Sequence, residues 1–224
     1  ALAGVASDRK DWGNAKRLWG EATELFRTAF GDDSPILAEA LGELARVHQE
    51  SGDLRAAILP LQRARDIWRT AAGINHPSYA MALNNLADAH YRLREWHEAE
   101  TLYGEAAGVT RRAYGAEHPI TADVLNNLAN TLRARGAFDE AERTYRDVLE
   151  IQRRHGGDED ERVQRVLADL AELAEHEAHP GSDNDDPARL DALAIEYLER
   201  AEWVIAERLP RRALDVSARF GDQS

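Results

Sequence analysis

The chain has 224 residues, 43% of them hydrophobic and 31% charged, and this balance suits a soluble globular or solenoid protein. It has no cysteine and a formal net charge of −13, which exclude disulfides and thiolate zinc sites and argue against general nucleic-acid binding. The lack of cysteine fits a cytoplasmic location, and no apolar run approaches the ~20 residues of a membrane span. The acidic charge predicts a solvated surface or, alternatively, an acidic groove for basic peptides.

The first residues belong to an incomplete copy of a unit that repeats every 42 residues. Leu2 lies 42 positions before Leu44, which belongs to a first helix, and a second helix is predicted over 11–30. This partial hairpin covers about residues 1–31. We expect that further sequence precedes it, or alternatively that a shortened helix caps the array.

Three complete units follow, at about 34–73, 76–115 and 118–157. The letters LNNLA occur at 83–87 and again 42 residues later at 125–129. In each unit, apolar residues recur every three or four positions on two stripes, which predicts two amphipathic helices joined by a turn. Small residues recur where the two helices would approach closely: Ala15, Ala57, Ala99 and Ala141.

The last unit begins near Asp160 and differs from the others. An insertion at about 179–189 lengthens the turn inside this final hairpin, which would cover 160–208. Residues 209–224 are predicted to form a capping helix or a tail. A lone hairpin cannot cover its apolar face, so the hairpins are expected to stack into a single solenoid over 1–208.

The repeat resembles the tetratricopeptide repeat (TPR). In that family a leucine and a small residue mark the first helix, and alternating aromatic and alanine positions mark the second, as at Trp96 and Tyr103 here. The 42-residue period, LNNLA and the HP junctions at His76 and His118 are similar to the kinesin light chain branch of the family. The resemblance covers about residues 1–208. It implies an all-α fold, a right-handed α-solenoid of antiparallel helix hairpins.

The same resemblance implies a role for the paired asparagines. First helices line the concave groove of TPR proteins, and in the kinesin light chain branch asparagines of this motif are implicated in binding cargo peptides. We therefore assign peptide binding to Asn84 and Asn126, and next to Asn85 and Asn127, because an amide can both donate to and accept from a peptide backbone. The alternative is that these amides tie neighbouring repeats together. Further groove candidates are Tyr91, Arg92, Asn130, Arg133 and Arg46.

Other motifs give weaker signals. HEAH at 176–179 is one residue short of the zincin HExxH and lacks an evident third ligand, which favours a polar helix end over a metal site. SDNDDP at 182–187 lacks the central glycine and closing glutamate of a calcium loop, so we expect an exposed acidic loop. His76 and His118 recur with the repeat and are predicted to be junction residues. No catalytic residue, metal or cofactor is predicted.

The sequence thus predicts a non-enzymatic interaction module that binds a peptide or partner protein in a concave groove. One alternative is the sensor or autoinhibitory arm of a larger signalling protein, such as a nucleotide-switch regulator or a TPR-linked protease. A second is an enzyme that depends on the HEAH motif alone. No nucleic acid or membrane is expected as a partner, whereas self-association through exposed terminal repeat faces is a further expectation.

Overall fold

The computed structural model describes residues 2–177, with side chains from 3 to 173, and every regular element in this part of the chain is an α-helix. The chain divides into two compact units, 1–135 and 136–224. Several sequence-based predictions concern residues outside the described part. They are the insertion at about 179–189, the second helix of the last hairpin, the acidic loop at 182–187 and the tail at 209–224.

The first unit is a succession of helices in which each helix packs against the next along the chain. The hairpin α1–α2 is followed by α3–α4 and α5–α6, and α7 packs against α6. The bounds are α1 (Leu2–Asp8), α2 (Trp12–Phe30), α3 (Pro35–Glu50), α4 (Leu54–Ala71), α5 (Pro77–Arg92), α6 (Trp96–Tyr114) and α7 (Pro119–Arg135). Repeated helix hairpins of this kind confirm the predicted all-α solenoid class.

The described part of the second unit contains α8 (Phe138–Gly156) and α9 (Glu161–Glu177), which pack against each other. Asp160 stands just before α9, and its Oδ1 atom accepts a hydrogen bond from the backbone N–H of Arg162 at 2.8 Å. The sequence predicted one hairpin over 118–157. Its first helix, α7, belongs to the first unit and its second helix, α8, belongs to the second.

Small residues at repeated positions occupy the tightest parts of the core. The alanines of the second helices are completely buried, each with 0% of its surface exposed: Ala15, Ala57, Ala99 and Ala141. The alanines of the first helices are buried to the same degree, with exposures of 0% to 1%: Ala45, Ala87, Ala129 and Ala171. Since protein interiors are close-packed, a larger side chain at these positions would push the helices apart.

The turns inside the hairpins share one backbone conformation. Lys10, Gly52, Arg94 and Gly136 lie 42 residues apart, and their φ angles are 57°, 84°, 62° and 87°. This left-handed region suits glycine, which has no Cβ atom to clash with the following carbonyl. Lys10 and Arg94 adopt it at a steric cost, so the turn geometry is imposed by the repeat and not by the local residue.

Histidines begin two of the first helices. The Nδ1 atom of His76 accepts a hydrogen bond from the backbone N–H of Ser78 at 3.1 Å, and Nδ1 of His118 accepts one from Ile120 at 3.2 Å. Each bond satisfies a backbone donor that the helix itself leaves without a partner. Each ring also stacks on an aromatic side chain near the end of the preceding helix, Trp68 and Tyr114 respectively. These contacts agree with the predicted junction role.

Candidate functional site

A cavity of about 890 Å³ opens on the first unit and is lined by residues from α1 to α5. Its apolar wall includes Trp19, Phe26 and Trp68. The part formed by α3 and α5 carries both polar and apolar side chains, and we refer to it as the α3–α5 groove. Its lining residues include Ile36, Glu39, Glu43, Arg46, Gln49, Ser78, Met81 and Asn85.

Helical periodicity brings these side chains to one face. On α3, Glu39, Glu43 and Arg46 are separated by four and three residues, so they lie above one another. On α5, Met81 and Asn85 occupy the positions 42 residues after Glu39 and Glu43. The groove therefore presents two matching rows, one acidic on α3 and one neutral on α5.

Large apolar side chains are exposed in this groove. Met81 has 59% of its surface exposed and Ile36 has 42%. Exposure alone does not mark a site, since Leu59 on α4 is 74% exposed and does not line the cavity. A concave surface that combines exposed apolar side chains with a few polar groups is, however, the usual form of a ligand site.

Polar contacts hold α3 beside α5 at one end of the groove. Gln49 donates its side-chain amide to Asp88 Oδ2 at 3.4 Å, and Arg92 donates to the backbone carbonyl of Gln49 at 3.2 Å. Burial raises the pKa of Asp88, and the nearby positive charge of Arg92 opposes this rise. Arg92, predicted as a groove residue, thus helps to fix the spacing of the two helices.

The paired asparagines have different positions. Asn127 donates its amide to Asn84 Oδ1 at 3.0 Å, and both side chains are half-buried between α5 and α7. Asn85 is exposed and lines the α3–α5 groove. Asn126 is half-buried, and its Oδ1 atom is buried without a hydrogen-bond partner among the described residues. The two adjacent asparagines of the motif on α5 therefore lie on different surfaces: Asn84 contacts α7 and Asn85 lines the α3–α5 groove.

Arg46, predicted as a peptide-binding residue, lines the α3–α5 groove, and carboxylates surround it. Its guanidinium group contacts Glu43 at 2.6 Å and Glu50 at 2.8 Å. Hydrogen bonds to these two carboxylates raise the pKa of Arg46. Its positive charge is therefore offset by two negative charges.

The remaining predicted residues lie on α5 and α7. Tyr91 packs against the core formed by Ala87, Ala99 and Tyr103, with its ring edge-on to Trp96 at 5.1 Å. Asn130 and Arg133 are half-buried on α7, and both already interact with other residues of the chain. None of these three lines the cavity on α3 and α5.

The sequence reasoning did not identify Glu39, Met81 and Ile36. The signal was present, because Met81 lies four residues before Asn85 and Glu39 lies four before Glu43, which places each pair on one helix face. The sequence-based assignment ranked Asn84 ahead of Asn85. The groove face is centred on Asn85 instead, which is one residue, or about 100°, away.

Two other kinds of feature are missing from residues 2–177. No helix there is long and apolar enough to cross a membrane. Within the same residues, no group of three or more His, Asp or Glu side chains is arranged to hold a metal ion. The side chains of the HEAH motif at 176–179 lie outside the described residues.

Comparison with known proteins gives one family. The model of the tetratricopeptide repeat matches residues 1–70, 61–109 and 78–154. A comparison with curated protein sequences finds no match.

Solved structures share the fold at low sequence identity. A kinesin light chain-type protein from Podosopora anserina, with nearly identical TPR-like repeats, has a TM-score of 0.70 and 19% identity, covering 100% of this chain and 94% of that one. BtubC (BKLC) from P. vanneervenii has a TM-score of 0.65 and 23% identity, covering 100% and 80% of the two chains. The apo form of RapI has a TM-score of 0.59 and 13% identity, covering 98% and 82%. These similarities concern the fold alone.

Proposed function

Because the chain belongs to the tetratricopeptide repeat family, whose fold is a scaffold for protein–protein interaction, we propose that it binds an extended segment of a partner protein in the α3–α5 groove. The observation that carries this proposal is the position of exposed Met81 next to exposed Asn85 on the wall of the cavity. Met81 offers an apolar contact for a partner side chain. Asn85 offers one donor group and one acceptor to the partner backbone.

The surrounding contacts support a groove that is formed before the ligand arrives. Hydrogen bonds from Gln49 and Arg92 join α3 to α5, and the bond between Asn127 and Asn84 joins α5 to α7. A preorganised surface does not have to be ordered on binding, so the entropic cost falls mainly on the flexible partner segment. Asn84 therefore acts in this proposal as a positioning residue and Asn85 as a contact.

The helix α7 continues the row of first helices and extends the proposed site. Asn126 is the second candidate contact, because its side chain is only half-buried and its Oδ1 atom has no hydrogen-bond donor among the described residues. Tyr91, Asn130 and Arg133 remain predicted to influence which partner side chains are accepted.

Selection from a phage-displayed library of random 12-residue peptides tests this function. The wild-type chain serves as bait beside Met81→Arg, which introduces a long charged side chain into the groove. Leu59→Arg is the matched control, because Leu59 is 74% exposed on α4 and does not line the cavity. Circular dichroism verifies that both variants fold.

Peptides that bind the wild type and Leu59→Arg but not Met81→Arg are the expected result. For those peptides, Asn85→Ala should weaken binding by about 2- to 10-fold whatever their sequence, because it removes hydrogen bonds to the backbone. Peptides that bind Met81→Arg as well as they bind the wild type would overturn the groove assignment.

A further inference from the structure

The charges along the α3–α5 groove are unequal. Glu39 and Glu43 line it on α3, together with the single cation Arg46. The side chains that line it on α5, Ser78, Met81 and Asn85, carry no charge. The contributions of α2 and α4 to the wider cavity are apolar.

Arg46, the one cation that lines the groove, does not balance the acids around it, and Arg92 at the end of the groove interacts with the carboxylate of Asp88. Glu43 and Glu50 both contact Arg46, which leaves this group of three with a net negative charge. Glu39 is exposed one turn away, and no ion pair of Glu39 occurs among the described residues. A ligand in this groove therefore meets uncompensated carboxylates next to an apolar surface.

We propose that the α3–α5 groove selects protein segments in which a lysine or arginine lies beside an apolar residue, with the basic head group at Glu39. This selectivity rests on the proposed function. The aliphatic stem of a lysine or arginine can cover exposed Met81 while its charged end reaches the carboxylate, as such side chains commonly do at apolar surfaces. An acidic segment would be repelled by Glu39, Glu43 and Glu50.

The charge of the whole chain acts in the same direction. With a formal net charge of −13, the protein attracts basic segments over the range of the Debye length, about 10 Å at 0.1 M salt. This general attraction mainly accelerates association and does not place the ligand. The experiment must therefore separate Glu39 from the remaining acidic surface.

The test uses the groove-dependent peptides, which are those that bind the wild type but not Met81→Arg in the phage selection. Their lysine and arginine content is compared with that of the unselected library. The most enriched peptide is then synthesised with its basic residues intact and with glutamine in their place. Fluorescence anisotropy measures the Kd of both peptides for the wild type, for Glu39→Gln and for the matched control Glu98→Gln, which removes an exposed carboxylate of α6 outside the cavity.

Enrichment of basic residues is expected, and Glu39→Gln should weaken the basic peptide about 2- to 5-fold, while Glu98→Gln leaves its Kd unchanged. The glutamine peptide should bind the wild type and Glu39→Gln equally. The selectivity would be overturned if the groove-dependent peptides showed no enrichment of basic residues, or if Glu98→Gln weakened binding of the basic peptide as much as Glu39→Gln does. In both cases the proposed function would stand. A complete lack of groove-dependent peptides would overturn both.

Discussion

Asn127 donates its side-chain amide to Asn84 Oδ1 at 3.0 Å and thereby joins α7 to α5 across neighbouring repeats. The two residues come from the two copies of LNNLA, but they hold different positions within the motif. Asn84 is the first asparagine of its copy and Asn127 is the second of the next copy. The repeat thus produces a hydrogen bond between neighbouring repeats.

Removal of this bond should lower stability. Asn84→Ala and Asn127→Ala are each expected to reduce the free energy of unfolding by about 1 kcal/mol, because each leaves a half-buried amide without its partner. The double variant should cost less than the sum of the two, with a coupling of about 0.5–1.5 kcal/mol in urea denaturation. Asn85→Ala is the control and should leave stability unchanged. Full additivity of Asn84→Ala and Asn127→Ala would argue against the bond.

Left-handed turn residues offer a second test of the repeat geometry. Arg94→Gly should stabilise the chain by up to about 1 kcal/mol, since the steric cost at φ 62° of about 1–2 kcal/mol exceeds the entropic cost of glycine, about 0.5–1 kcal/mol. Gly52→Ala, at the equivalent turn with φ 84°, should destabilise it by a similar amount. In thermal melts, Arg94→Gly should raise the melting temperature and Gly52→Ala should lower it. Destabilisation by Arg94→Gly would contradict the cost assigned to that turn.

The histidine caps give a third prediction. His76→Ala should destabilise the protein by about 1 kcal/mol, because the backbone N–H of Ser78 loses its acceptor. His76→Asn keeps an acceptor at the same helix start and should recover most of the loss. If chemical denaturation shows that both variants are equally destabilised, then His76 stabilises the protein mainly through its stacking on Trp68 and not through the hydrogen bond.

Alkaline pH should weaken the fold through Tyr79. Burial, together with the hydrogen bond that its hydroxyl donates to Glu105 at 2.6 Å, raises the pKa of Tyr79 from 10.0 to about 12. A raised pKa means that the stabilisation is complete below pH 10, the value in the unfolded chain, and is lost as pH rises toward about 12. Urea denaturation between pH 9 and 12 should show a shallower decline for Tyr79→Phe than for the wild type. Some decline should remain, since burial also raises the pKa of Tyr103.

The fold could be predicted from the sequence because its periodic signals agree with one another. The alanine positions at 15, 57, 99 and 141 fix where two helices touch, and the structure buries all of them completely. Packing against a neighbour leaves little freedom at such positions. The starts of α5 and α7 could also be predicted, since a histidine and a proline mark each of them.

The site was harder to predict for a physical reason. Asn84 and Asn85 are adjacent letters of one motif, but a rotation of about 100° separates their side chains. Only the packing of α5 between α3 and α7 decides that Asn84 meets Asn127 and that Asn85 meets the open cavity. The charge of the groove is likewise a property of two helices together, because the carboxylates of α3 line the same cavity as the uncharged side chains of α5.

Met81 allows the most direct measurement, because it is the only methionine in the sequence. A chain labelled with 13C at the methionine methyl group gives one protein signal from the wall of the α3–α5 groove, and Met81→Leu identifies it against any initiator methionine. On titration with a peptide selected by the wild-type chain, this signal should shift and saturate at the Kd found by anisotropy. A peptide that binds with the same Kd and leaves the Met81 signal unmoved would place the binding surface elsewhere.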